Sequence, residues 1–324
     1  MKEIRPFKFG GGVLGTPESL PQLLEIIKNY KPEIVVVSAF GKGTNALKDL
    51  VEGCISGDRN MTNYAFRTFC EINEPFLDSF PITHNIRLRY ANHIRFLENF
   101  IKNKPFSNDS LMVKDRILIL GEIISSEIVN DYLNLNLDES FSSELVLASS
   151  FIKTDMNFGA ANVLKKDSLK CFANSSLLSR CLNSTDSKHL ITVTQGFIGS
   201  GSYVDEYSNY NAPTTLGRES SDYVIALISN MLKTSLSIAE IKEVTLWKNV
   251  NGVANIDPNN EEENDHPLVY SSVISFKKFR KQVAHGGSAE GLVHPKTLDE
   301  LEPLGIPLRI RPFSNIEEMG TLVL

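Results

Sequence analysis

Residues Pro213 to Asp222 read Pro-Thr-Thr-Leu-Gly-Arg-Glu-Ser-Ser-Asp and lead into the apolar run Tyr223-Val-Ile-Ala-Leu-Ile. This order puts hydroxyls, a glycine, an arginine and an aspartate at the mouth of a predicted helix. Backbone N–H groups at a helix start attract anions, and Arg218 adds a planar fork matched to a carboxylate or phosphate. Ser and Asp ahead of an apolar run also cap ordinary helices, so this segment alone does not separate a site from a cap. Three other segments share its character. Lys8-Phe9-Gly10-Gly11-Gly12 follows a short apolar stretch. Val35-Val36-Val37 runs into Ser38-Ala39-Phe40-Gly41-Lys42-Gly43-Thr44-Asn45, and Ile117-Leu118-Ile119-Leu120 runs into Gly121-Glu122 with Ser125-Ser126 beyond. Each reads as strand, small polar turn, helix. Several such turns can converge at one edge of a parallel sheet, where ligands bind.

The elements that would position these turns follow from periodicity. Pro17 to Tyr30 predicts an amphipathic helix with Leu20, Leu23, Leu24 and Ile27 on one face, stopped by Lys31-Pro32. The continuous β-branched run Ile34 to Val37 predicts a strand buried on both faces. From about Asn45 to Lys104 the chain reads as helical and polar, an insertion rather than part of the chemistry. Leu145 to Ala148, Ile191 to Val193, Glu243 to Trp247 and Ile306 to Arg311 are further strand candidates, the last being the final strand of the chain. Ser200 to Ala212, rich in Ser, Tyr, Asn and Gly, reads as a flexible loop, and Asp257 to Asp265 as an acidic surface loop. The alternation favours a mostly parallel sheet covered on both faces.

Composition excludes several classes. At 324 residues, with 42% hydrophobic and 22% charged, the chain has the makeup of a globular protein with ample core. A formal net charge of −6 and the lack of a Lys/Arg block argue against a nucleic-acid surface. No apolar run reaches the length of a membrane span, and Met1 to Arg5 lacks the apolar core of a secretion signal. Cys54, Cys70, Cys171 and Cys181 show no CxxC spacing, so free thiols in the cytoplasm are expected. The six histidines lack HxxxH or HExxH spacing, and no protein-built metal site is expected.

Taken in order, these segments resemble the kinase domain of aspartokinases, within the amino-acid kinase superfamily. That family reads Lys-Phe-Gly-Gly-Thr-Ser, Val-Val-Ser-Ala…Thr-Asn, Gly-Glu…Ser, Thr-Gln-Gly-Phe-Ile-Gly, Thr-Thr-Leu-Gly-Arg-Gly-Gly-Ser-Asp, Val-x-Gly…Asp-Pro and His-Pro-x-Thr. The counterparts here are residues 8–12, 35–45, 121–126, 194–199, 214–222, 250–258 and 294–297. The resemblance implies an α/β fold, a three-layer α/β/α sandwich, with an acceptor lobe over 1–232 and a nucleotide lobe over 233–324. It implies transfer of the γ-phosphoryl of ATP, with magnesium, to the side-chain carboxylate of L-aspartate, the first step of lysine, threonine and methionine biosynthesis. A homodimer is the candidate assembly. The chain ends about where the family's kinase domain gives way to ACT regulatory modules, and none is expected within it.

The same resemblance suggests roles. Lys8 would bridge the transferring phosphoryl and the leaving oxygen, and Asp222 would orient Lys8. Arg218 would clamp the α-carboxylate of aspartate and Glu122 its ammonium, with Thr44 and Ser221 completing the cradle. Gly10, Gly11, Ser38, Lys248 and Asn249 would meet the nucleotide. Singly, each has an ordinary alternative: a strand-end lysine, a glycine turn, a surface ion pair, a helix cap or a first-turn acid. The ordered set favours the site.

Departures from the pattern cluster on the nucleotide side. Gly12-Val13 stands for Thr-Ser, Glu219-Ser220 for Gly-Gly, and Leu147-Ala148-Ser149 for Asp-x-Arg. Lys248-Asn249 stands for Thr-Asp, Ala254 for an aromatic residue, Asn259 for an arginine and Gly291 for a lysine. Lost cations and the added Glu219 carboxylate weaken triphosphate binding, while Lys248 restores one charge. Two alternatives stay open: a kinase for another small carboxylate, and a non-catalytic partner subunit with a degraded ATP site.

Overall fold

The computed structural model describes residues 2–103, 110–182, 188–204, 209–235, 239–255, 269–284 and 289–324. In chain order the first elements are β1 (Lys2–Ile4), β2 (Pro6–Phe9), α1 (Ser19–Tyr30), β3 (Ile34–Val37), α2 (Gly43–Ser56), α3 (Arg59–Asp78) and α4 (His84–Asn103). There follow α5 (Ser110–Leu118), α6 (Leu120–Asn136), β4 (Phe141–Leu145), β5 (Lys153–Thr154), α7 (Lys165–Ala173), α8 (Ser176–Leu182), β6 (His189–Gln195), β7 (Ile198–Val204) and β8 (Asn209–Thr215). The remainder comprises α9 (Ser221–Ser235), β9 (Ala239–Ile241), β10 (Val244–Lys248), β11 (Val253–Ala254), β12 (Tyr270–Ser271), β13 (Val273–Ile274), α10 (Phe276–Val283), α11 (Pro295–Leu301), β14 (Leu308–Pro312) and β15 (Thr321–Val323).

Eight strands form the central sheet in the order β13-β15-β14-β10-β2-β3-β6-β4. From β14 to β4 every pairing is parallel, and only β15 runs antiparallel to its neighbour β14. The side-chain period of two explains the layers. Ile34 and Val36 of β3 enter one core with α9, α10 and α11, whereas Val35 and Val37 enter a second core with α1, α2 and α6. Both faces are thus covered by helices, as a continuous apolar strand requires. The fold is α/β, with a mostly parallel sheet between helical layers. Among the described residues, no helix is long and apolar enough to cross a membrane, and no disulfide links the four cysteines.

From β2 the chain steps one way to β3 and β6, while β10 and β14 extend the sheet the other way. A crevice therefore opens beyond the C-terminal ends of β2 and β10, the place where parallel sheets receive ligands.

Four expectations need correction. Ile117 to Leu120 is helical rather than a strand: α5 ends at Leu118 and α6 begins at Leu120. A four-residue apolar run is the same in a buried strand and a buried helix. The expected loop at Ser200 to Ala212 is largely the antiparallel pair β7 and β8, whose Ser and Gly positions register against Pro213, Ala212 and Asn211; residues 205–208 lie outside the described residues. The strand expected at Leu145 to Ala148 ends at Leu145 and gives way to a single turn over Ala148–Ser150. The strand near 306–311 is β14, and it is followed by β15 rather than closing the chain. The acidic segment 257–265 lies outside the described residues.

Candidate active site

Two lysines leave the same face of adjacent strands. Lys8 of β2 pairs in register with Leu246 of β10, so Lys248, two residues on, projects to the same side. Between them stands Asp222, in the first turn of α9. Lys8 Nζ lies 2.7 Å from Asp222 Oδ1, and Lys248 Nζ lies 2.7 Å from Oδ2. Burial pushes the Asp222 carboxyl up, but Lys248 and Lys8 outweigh it and hold it at about 2. Burial, reinforced by the Lys248 charge, brings Lys8 down to about 8 against the pull of Asp222.

Close backbone packing builds the walls. Gly11 fits because a Cβ there would stand 2.5 Å from the Ala39 carbonyl oxygen and 2.6 Å from that of Gly41. The glycine turn after β2 and the turn after β3 are therefore pressed together. Gly121 serves α6 likewise, since a Cβ would come within 2.8 Å of the Ala39 Cβ. This contact delivers Glu122 to the cavity. Its Oε2 is buried with no hydrogen-bond partner. Burial pushes the Glu122 carboxyl up to about 8, opposed by hydrogen bonds from the backbone of Ala39 and Glu122, by the Thr44 hydroxyl and by the Lys8 charge. Gly196 abuts the start of α9: a Cβ there would meet Ser221 Oγ at 2.3 Å.

These groups surround one cavity of about 580 Å³. Of the residues expected at a site, Lys8, Gly11, Ser38, Thr44, Glu122, Arg218, Ser221, Asp222 and Lys248 all line it. Gly10 and Asn249 do not. The Gly10 carbonyl accepts from Val13 and Leu14 N–H at 3.1 Å, folding the turn, and Asn249 Nδ2 donates to the Gly12 carbonyl, tying the β10 end to that turn. Six basic side chains face the cavity against three carboxyls, so its formal charge balance is positive.

Sequence reasoning passed over Lys42, Lys48 and Lys114, which also line the cavity. Asn45 and Lys48 lie on α2, inside the stretch read as an insertion without chemistry, and this is corrected here. Their signal was Thr44-Asn45 itself, which opens a helix and so carries the residue one turn on to the same face. His294 lines the cavity too, capping α11 as its Nδ1 accepts the Lys296 N–H at 3.2 Å. Burial first, then Lys296, lowers its pKa.

The departures acquire structural form. Glu219, in place of a glycine, adopts φ +59°, the left-handed region that favours glycine. Val13 is buried in the core below the turn. Gly291 lines the cavity at φ +72° with no side chain to offer, while Lys248 supplies a cation to the same cavity. Asn259 lies outside the described residues.

The family model for the amino acid kinase family matches residues 7–312. The chain belongs to the amino acid kinase family. Among curated relatives, the lysine-sensitive aspartokinase 3 of Escherichia coli (strain K12) is 28% identical across 100% of this chain and 64% of its own length. The chloroplastic bifunctional aspartokinase/homoserine dehydrogenase 1 of Zea mays is 26% identical across 98% of this chain and 32% of its own. The chain thus spans between about a third and two-thirds of these relatives. The E. coli aspartokinase III structure in complex with aspartate and ADP superposes with a TM-score of 0.82 at 22% identity, covering 99% of this chain and 64% of the other. That likeness confirms the amino-acid kinase fold.

Proposed function

We propose that this chain catalyses ATP-dependent phosphorylation of the side-chain carboxylate of L-aspartate to 4-phospho-L-aspartate, the entry step to lysine, threonine and methionine. The observation that carries the reading is the Lys8–Asp222–Lys248 cluster, with Arg218 and Glu122 lining the same cavity. Relatives named aspartokinases support the choice of acceptor.

In the reaction, a carboxylate oxygen attacks the γ-phosphorus, a new O–P bond forms, and the bond to the β-phosphate oxygen breaks. The electron pair leaves with ADP, and no proton need move. Two anions must meet, so the protein's contribution is positioning and charge neutralisation. Lys8 holds the transferring phosphoryl, and Asp222 fixes its ammonium. Arg218 takes the α-carboxylate; Glu122, with Thr44, takes the ammonium, and Ser221 completes the acceptor side. Gly11, Ser38 and Lys248 face the nucleotide, with Gly10 and Asn249 shaping the turn behind. Residues 1–232 supply the acceptor side together with Gly11 and Ser38, and 233–324 supply Lys248 to the nucleotide side.

The described residues do not form a cage for magnesium. They contain no cluster of three His, Cys, Asp or Glu side chains, and both Asp222 oxygens already meet lysines. Magnesium would arrive on the nucleotide's phosphates, its usual ligands in kinases, and no step above runs through a protein-bound ion. A different small carboxylate as acceptor is the second reading, favoured by the extra cations Lys48 and Lys114 in the cavity.

The test is ADP release from purified protein with Mg-ATP and a panel of acidic amino acids, with hydroxylamine to trap the acyl phosphate. Aspartate should give the highest kcat/KM and a hydroxamate. ADP release with another acceptor alone would replace aspartate, and aspartate binding without turnover would establish the non-catalytic alternative.

A further inference from the structure

Asp115 lies on α5, fully buried, and does not line the cavity. Its carboxylate accepts three hydrogen bonds from two other segments. Gly159 N–H donates to Oδ2 at 3.0 Å, Thr215 N–H to the same oxygen at 2.8 Å, and the Thr215 hydroxyl to Oδ1 at 2.8 Å. The two donor segments are themselves joined, since Ala161 N–H donates to the Thr215 carbonyl at 2.9 Å.

All three segments reach the cavity just beyond this junction. Helix α5 presents Leu111, Lys114 and Leu118; the 157–162 turn presents Gly159; and β8 presents Thr215, three residues before Arg218. Asp115 does not line the cavity, yet it joins three segments that do. A carboxylate suits the junction because both oxygens only accept, the two backbone N–H groups only donate, and the Thr215 hydroxyl donates to the second oxygen. An asparagine can reproduce this pattern by keeping its oxygen on the two N–H groups and donating to the Thr215 hydroxyl, so only a side chain with no acceptor removes the junction. Burial raises the Asp115 pKa against these hydrogen bonds, so the group is held where desolvation is costly.

We infer that Asp115 is a positioning residue for acceptor specificity, which locks the Arg218 turn and the Gly159 turn onto α5 so that Arg218 and Lys114 meet one acceptor at a fixed separation. The inference rests on the kinase reading above. It distinguishes the acceptor side from the nucleotide side, because no bond from Asp115 reaches the glycine turn or β10.

The test compares Asp115→Ala, Thr215→Val and Thr215→Ser with the wild type in steady-state kinetics with aspartate and ATP. Asp115→Ala should raise the acceptor KM by about tenfold or more, with the ATP KM and kcat within about threefold, because a displaced clamp loses acceptor binding without altering the phosphoryl site. Thr215→Val removes only the bond to Oδ1 and should act in the same direction less strongly, while Thr215→Ser keeps the hydroxyl and should return toward wild type. An unchanged acceptor KM in Asp115→Ala, or equal losses for acceptor and ATP, overturns the inference. If Asp115→Ala does not fold, the Val and Ser pair decides alone. If the wild type turns over no aspartate, the kinase reading has failed separately, and amide exchange decides the tether. Gly159 and Thr215 amides should exchange faster in Asp115→Ala, and unchanged protection overturns it.

Discussion

Lys8 and Lys248 occupy opposite oxygens of Asp222, each at 2.7 Å. The carboxylate is therefore a spacer that sets the separation of two ammonium groups at the cavity floor. A triphosphate entering the cavity would meet both cations in fixed positions, which is electrostatic preorganisation rather than flexible attraction. Lys8 is buried, while Lys248 is more open, with 19% of its side chain exposed. Removing them should therefore differ in kind. Lys8→Met should lower kcat by about 10²–10³-fold, the scale of losing one preorganised charge at a reacting centre. Lys248→Met should mainly raise the ATP KM. Coupled ADP-release kinetics check both; near-wild-type turnover in Lys8→Met would place the phosphoryl site elsewhere.

Glu122 makes a proton-linkage prediction. Its carboxyl, pushed up to about 8 by burial, is mostly protonated at pH 7 in the free protein. An arriving ammonium favours the charged form. Aspartate binding at pH 7 should therefore release up to about one proton, measured by calorimetry in buffers of different ionisation enthalpy. Glu122→Gln should abolish the release. The sign for stability follows. A carboxyl with a folded pKa above its unfolded value of 4.5 binds more protons when folded, so its stabilising contribution is full below 4.5 and is lost as pH rises through about 8. Proton uptake on binding would contradict Glu122 as the ammonium partner.

Glu219 combines an unfavourable backbone angle with an unfavourable charge. At φ +59° a residue with a Cβ loses energy that glycine does not. Glu219→Gly should stabilise the fold by about 0.5–1 kcal/mol, the left-handed penalty less the greater chain entropy of glycine. It should also tighten ATP binding by removing a carboxylate from an anion site, with aspartate affinity unchanged. Urea unfolding and ATP calorimetry read the two effects separately. No gain in either would mean that Glu219 is accommodated at no cost.

Much of this site was legible because its residues mark their own backbone demands. Gly11 and Gly121 sit where neighbouring carbonyls or side chains leave no room for a Cβ, and the Ile34 to Val37 run needs apolar cover on both faces. What local pattern could not reveal was set by tertiary pairing. Nothing in Ser200-Gly201-Ser202 announces a strand, because its stability comes from register with Ala212 and Asn211. Asp115 is a lone acid in a short helix until Thr215, a hundred residues away, folds onto it. Lys48 and Lys114 look like solvated helix lysines until α2 and α5 are brought to the same cavity.

Gly196 offers the sharpest test of how the site is held. It follows β6, and its N–H donates to the Val37 carbonyl at 3.0 Å, so its backbone is fixed by the central sheet. An added Cβ would come within 2.3 Å of Ser221 Oγ, 2.4 Å of Ser221 Cβ and 2.9 Å of its Cα. A rotamer change cannot relieve contacts with Cβ and Cα, so the start of α9 must move. Asp222 is the next residue and would move with it, away from Lys8 and Lys248. Gly196→Ala should therefore cost roughly 1–3 kcal/mol of stability, as overpacking does, and lower kcat by about tenfold or more through misplacement of the lysine pair. Gly291→Ala, also at the cavity but with nothing within 4 Å of its added Cβ, is the matched control: its left-handed φ of +72° carries backbone strain without the clash. Denaturant unfolding and steady-state kinetics on both variants separate the effects. Loss of stability in both with loss of kcat only in Gly196→Ala is the expected outcome. Equal kinetics in the two would show that the contact with Ser221 does not govern where Asp222 stands.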